Sequence, residues 1–165
     1  MVLIEGNLKI DLPIGVDGRK FDDPLAHNLS HCMKAVDFIV ELEDKIYFIE
    51  LKDPDHPLSK PNDRNEFIKK FLNSQLDADL KIKYRDSYLF EYAAGRATKP
   101  IYYLILMASS ALSSAELISR TDALKRILPV GLMGSGWKKA IVAGCAVMNI
   151  ESWNRQMPNY TAARM

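Results

Sequence analysis

Hydrophobic and polar positions change their period several times along the chain, and each change predicts an element. Between Val36 and Leu42 the residues Val36, Phe38, Val40 and Leu42 alternate with Asp37, Ile39 and Glu41. Between Ile46 and Lys52, Tyr47, Ile49 and Leu51 alternate with Ile46, Phe48, Glu50 and Lys52. A two-residue period in stretches rich in β-branched and aromatic side chains predicts strands. Glu43-Asp44 is the turn between them, and the prolines of "DPDHPLSKP" end the second strand, because proline cannot donate to a ladder. From Asn62 or Asp63 the period lengthens. Phe67, Ile68, Phe71, Leu72 and Leu76 form a helical stripe that Leu80, Tyr84, Tyr88 and Tyr92 extend at four-residue steps. This predicts one long helix, opened by Asp63 and Glu66 as a capping box. "IYYLILMA" is continuously apolar, as a central strand covered on both faces would be. Ser113 and Glu116 form a second capping box, opening a helix to about Ile127. "KKAIVAGCAVMNI" reads as a further buried strand and "ESWNRQMPNYTAARM" as a short tail.

The first thirty residues are less regular. "LIEGNLKIDL" alternates like an edge hairpin, "DGRK" reads as a turn, and "DDPLAHNLSHCM" as a short helix with Asp23 at its N-cap and Pro24 at its first position. The order hairpin, helix, strand, helix, strand predicts a mixed α/β sandwich, and 165 residues are enough for one domain with its own core.

Composition narrows the class. No apolar run reaches the length of a membrane span, and the N-terminus carries Glu5 early without a basic start, so no secretory signal is expected. Cys32 and Cys145 stand apart without metal-ligand spacing, which predicts reduced thiols and a cytoplasmic protein. Net charge is only +1, but it is segregated. Residues 1–59 hold 6 Lys/Arg against 12 Asp/Glu, residues 60–116 hold 9 against 7, and residues 117–165 hold 7 against 2. Such a gradient can fold into an acidic site flanked by basic surface, or be ordinary variation among surface charges.

The hairpin carries the candidate chemistry. With Glu43-Asp44 as the loop, paired positions place Leu42 opposite Lys45, Val40 opposite Tyr47, and Asp37 opposite Glu50. Lys52 lies two residues beyond Glu50 and shares its face. Two carboxylates opposed across strands repel unless something compensates them. A divalent cation would do so, and two carboxylates with carbonyl and water oxygens suit Mg²⁺ or Mn²⁺.

The stretch "VDFIVELEDKIYFIELK" resembles the signature of the PD-(D/E)xK nuclease superfamily, whose members share the restriction-endonuclease-like fold. Asp37 matches the first acid, Glu50 the second and Lys52 the lysine, while Val36 stands where the signature has proline. The resemblance covers about residues 20–110. It implies a metal-dependent endonuclease in which Asp37, Glu50 and the Leu51 carbonyl hold Mg²⁺ or Mn²⁺ and Lys52 positions the attacking water. It also implies a helix after the signature strand that supplies a further polar residue. Gln75, an amide on the apolar stripe, is the candidate. A glutamate on an upstream helix, present in many members, has no secure counterpart. Asp22, Asp23 and His27 are candidates for it. Nucleic acid, DNA foremost, is the expected partner, and duplex cleavage would call for a homodimer.

The alternative function class is a catalytically inactive protein of the same fold that binds nucleic acid or assembles with a partner, to which the low net charge and the missing glutamate point. Other motifs are weaker. His27 and His31, four apart, have ligand spacing but no evident third ligand. "GLMGSGWKK" lacks the GK[ST] ending of a phosphate loop and reads as a glycine-rich turn before a strand, with Lys138 and Lys139 free to touch a nucleic-acid backbone. Tyr84, Tyr88 and Tyr92 read as a packing face or dimer seam rather than a base-stacking platform.

Overall fold

A computed structural model describes residues 1–165, apart from the side chain of His27. The candidate ligand or acid role of His27 therefore lies outside the described residues. The chain forms a mixed α/β structure with two sheets. In chain order, β1 (Val2–Glu5) and β2 (Leu8–Asp11) form the expected N-terminal hairpin, followed by β3 (Asp17–Lys20) and α1 (Pro24–His27). The hairpin that carries the candidate acids is β4 (Phe38–Glu41) and β5 (Ile46–Lys52). Next come α2 (Pro61–Leu72), α3 (Gln75–Ala93), β6 (Ile101–Met107) and α4 (Ser114–Ile127). The chain closes with β7 (Gly144–Met148), α5 (Ile150–Gln156) and β8 (Ala162–Arg164). No helix among the described residues is long and apolar enough to cross a membrane.

The larger sheet runs β3-β4-β5-β6-β7, with β4 antiparallel to both β3 and β5, and β5, β6 and β7 parallel. A parallel neighbour requires a crossover, and α2 and α3 supply it between β5 and β6. Strand alternation divides the core. Ile46, Phe48, Tyr103 and Ile105 face the helices, where they pack with Phe71, Leu80, Tyr84 and Leu124. Ile49, Leu51, Leu104 and Leu106 face the other way, onto Leu3, Leu8, Ile10 and Trp153. β6 is covered on both sides, as its unbroken apolar run requires.

Several expectations hold. Paired residues of β4 and β5 follow the predicted register, Phe38 with Ile49 and Val40 with Tyr47. Asp23 caps α1 by accepting from the Leu25 N–H, and Ser113 with Glu116 makes a reciprocal capping box on α4.

Others are corrected. "DGRK" is not a turn but β3, held by pairing with β4, with Gly18 under the Leu3 and Leu12 side chains where a Cβ would collide. The long helix is two helices. Asn73 ends the first, and Ser74 takes a left-handed φ of 68° that resets the helical phase. Asp63 does not cap α2; Lys60 is the capping position, Pro61 occupies the first turn, and Asp63 complements the helix dipole from inside it. Of "KKAIVAGCAVMNI" only Gly144–Met148 is strand, with Val142 making one isolated bridge to Val130. The supposed tail is structural. Asn149 and Ser152 cap α5, Trp153 is fully buried, and β8 pairs with β2 to complete the smaller sheet, ordered β1-β2-β8.

Candidate functional site

The site lies where β4 begins and β5 ends. Backbone hydrogen bonds fix Asp37 there: its carbonyl accepts from the Phe21 N–H at 2.8 Å, and the neighbouring Val36 N–H donates to Ser87 Oγ at 3.0 Å. The register of β4 and β5, extended by one residue, sets Asp37 opposite Glu50. Both carboxylates are buried, Glu50 completely. Asp37 Oδ2 accepts from the Leu51 N–H at 2.6 Å. Because one strand residue turns its N–H and C=O to the same edge, the Leu51 carbonyl is directed to the edge that carries Asp37.

Two ammonium groups reach Glu50, both at the same oxygen. Lys52 Nζ lies 2.5 Å and Lys83 Nζ 2.7 Å from Oε1, while Oε2 is buried without a hydrogen-bond partner. Lys83 also stands 3.5 Å from Asp37 Oδ1 and 3.9 Å from Asp22 Oδ2. Thus β5 contributes two charges to the cluster, and α3, the residue before β4 and the segment after β3 contribute one each. Burial first, and then the charge of Glu50, push the Asp37 carboxyl up to about 6, although Lys83 and the Leu51 N–H pull the other way. Burial works against the charge on Lys83, but Glu50 and Asp37 outweigh it and raise its ionisation above the ordinary lysine range. Below them the fully buried Tyr103 hydroxyl has no partner, and burial together with the two carboxylates keeps it protonated.

Asp37, Glu50 and Lys52 are thus brought together as the register requires, with Leu51 at the edge. Gln75 is not. It is exposed in the first turn of α3, while Leu76, Asp79, Leu80 and Lys83 of the same helix turn toward the site. The phase reset at Ser74 is the reason: the stripe carrying Gln75 in a continuous helix does not survive the break. Lys83 is the residue that sequence reasoning passed over. It immediately precedes Tyr84, a fully buried position of the stripe, but a lysine there reads as solvated. Of the upstream candidates, Asp22 reaches the cluster, whereas Asp23 is spent on capping α1.

A cleft of about 310 Å³ opens beside the carboxylates. Phe67, Leu76, Leu80 and Met107 form its apolar wall, and Lys34 and Asp79, paired at 2.7 Å, stand at its rim. Among the described residues no three His, Cys, Asp or Glu side chains converge as a ready-made metal cage. The donors at hand are oxygens only: the orphaned Glu50 Oε2, the Asp37 carboxylate and a strand-edge carbonyl. That set fits a hard divalent cation that retains water, and not a soft transition metal. No protein-family model matches the chain, and neither curated proteins nor solved structures give a significant match to it.

Proposed function

We propose that this protein is a metal-dependent nuclease of the restriction-endonuclease-like fold, hydrolysing phosphodiester bonds in nucleic acid, DNA foremost. The observation that carries the reading is the pairing of two buried carboxylates across β4 and β5 with one Glu50 oxygen left unsatisfied. An unpaired buried carboxylate oxygen is costly, and a bound cation beside Asp37 would relieve it. The topology supports the same reading: a signature hairpin, a helical crossover and a parallel core strand follow in the order that the resemblance implies.

Asp37 and Glu50, with the Leu51 carbonyl, would hold Mg²⁺ or Mn²⁺. The bound cation would lower the pKa of a water and offset charge on the phosphoryl group. The chain's own residues do the rest. Lys52, partly exposed at the mouth of the cleft, orients the attacking water and offsets negative charge on the phosphate. Lys83 keeps the two carboxylates from splaying apart. Asp22 at the rim limits how far the ammonium of Lys83 can withdraw.

Purified protein incubated with DNA and RNA substrates and Mg²⁺ or Mn²⁺ tests this. Cleavage lost in Asp37→Asn and Lys52→Ala is expected. Cleavage unchanged in both variants would remove the cluster from the chemistry.

One observation favours a second reading, a catalytically inactive module that binds nucleic acid or a partner. Lys83 already lies between the carboxylates and compensates them without a metal. That reading expects no rise in melting temperature with Mg²⁺, whereas the nuclease reading expects a rise that Glu50→Gln abolishes.

A further inference from the structure

A second concave surface lies at the other end of α3. Tyr84, buried against Phe48 and Tyr103, begins a ladder of rings in which Tyr84 and Tyr88 stack at 6.4 Å and Tyr88 and Tyr92 at 6.1 Å. The ladder runs outward from the core, and its last ring, Tyr92, is 62% exposed. Facing it is the glycine-rich loop. Gly136 takes a left-handed φ of 79°, and the indole of Trp137 lies so close over Gly134 that a Cβ there would meet the ring at 2.6 Å. Two glycines thus seat Trp137 as the opposite wall, 41% exposed.

The groove between these walls has a volume of about 910 Å³, three times that of the cleft at the carboxylates. Lys138 and Lys139 line it, both exposed, with no acidic side chain in ion-pair range among the described residues. A second hollow of about 300 Å³ shares Thr98 and Lys139 with the groove and is lined also by Tyr102 and by Lys99, which pairs with Glu41. The two adjoining hollows therefore form one path lined by aromatic rings and lysines.

We propose that this path binds single-stranded nucleic acid. Exposed rings offer stacking faces to unpaired bases, and unpaired lysines between them offer contacts to phosphates. A duplex hides the base faces such rings would use. A purely apolar partner would leave the two lysines without counter-charge. The proposal is independent of the phosphodiester chemistry above, since none of these residues belongs to the carboxylate cluster.

The test is fluorescence titration in EDTA, where cleavage cannot intervene, with oligo(dT), oligo(U) and a blunt mixed-sequence duplex. Trp153 is buried in the core, so a ligand-dependent change in emission reports on Trp137. We expect quenching by the single strands, and binding about tenfold or more tighter than to the duplex. Read by the anisotropy of a fluorescein-labelled oligo(dT), which needs no tryptophan, Tyr92→Ala and Trp137→Ala should each weaken binding about tenfold, and Trp137→Phe, which keeps a stacking face, should restore most of it. Lys138→Gln with Lys139→Gln should reduce the slope of log affinity against log salt by about 1.4. Because binding is read in EDTA, failure of the nuclease reading leaves this result standing. Equal affinity for duplex and single strand, binding without quenching, or no binding would each overturn the proposal. So would light scattering that shows a dimer with Trp137 shielded in it.

Discussion

Two glutamates, Glu50 on β5 and Glu91 on α3, are buried to almost the same degree, 0% and 1% exposed. Their surroundings differ. Glu91 is held by two arginines that use both of its oxygens: Arg96 donates to Oε1 at 2.8 Å and to Oε2 at 3.0 Å, and Arg19 donates to Oε2. It ties β3 to the end of α3 and leaves neither oxygen without a partner. Glu50 receives both of its lysines at one oxygen, keeps the other unsatisfied, and faces a second buried acid. Saturation marks the first as structural. An unspent acceptor beside a like charge is what the proposed cation site would use at the second.

The comparison can be broken most directly at Glu50 itself. Under the proposed function, Glu50→Gln should lower cleavage about a thousandfold, equivalent to ~4 kcal/mol of transition-state stabilisation, while its melting temperature in EDTA barely moves. Single-turnover cleavage and differential scanning calorimetry on one preparation read both. A variant that unfolds but retains activity would invert the contrast.

Asp37 sharpens it through pH. Its carboxyl titrates at about 6 in the fold against 3.8 for the free group, so the native state binds the proton more tightly than the unfolded chain. The stabilisation from that proton is complete below the unfolded value and is lost as pH rises through about 6. Asp37→Asn carries no such loss. In EDTA its stability should match the parent near pH 4 and exceed it at pH 8 by up to about 3 kcal/mol. Denaturant melts across that range would show it, and parallel curves would sink it.

Lys83→Met removes the cation shared by the two acids. The metal-free protein should lose about 2 kcal/mol, and Mg²⁺ should raise the melting temperature of the variant more than that of the parent. A smaller rise in the variant would mean that Lys83 helps the metal bind and does not substitute for it. The smallest effect belongs to the saturated site. Glu91→Gln keeps one acceptor for arginines that are already partly in water, so it should cost about 1–2 kcal/mol and leave metal response and cleavage unchanged. A change in metal response there would erase the distinction between the two glutamates.

Asp37, Glu50 and Lys52 could be placed from sequence because a short hairpin loop determines every pairing behind it, and strand alternation then assigns each side chain a face. Helix ends at Asp23 and Ser113 were legible for a similar reason: a capping hydrogen bond spans only two or three residues. Lys83 was not, because the apolar period runs unbroken through Asn73 and Ser74, and a period carries no mark where a single left-handed residue rotates everything after it. Gln75 was misplaced by the same rotation. β3 and β8 were missed because four- and three-residue strands acquire their conformation from distant partners, β4 in one case and β2 in the other. Trp153 could not be recognised as core until β8 and the N-terminal hairpin closed over it.

The chain alone determined the elements whose hydrogen bonds or periods are local, and with them the opposition of two acids across one turn. Only the tertiary structure decided which cation meets those acids, which oxygen stays unsatisfied, and which helix face looks into the cleft. Those outcomes depend on the phase of α3 over the sheet, and packing over the whole core sets that phase.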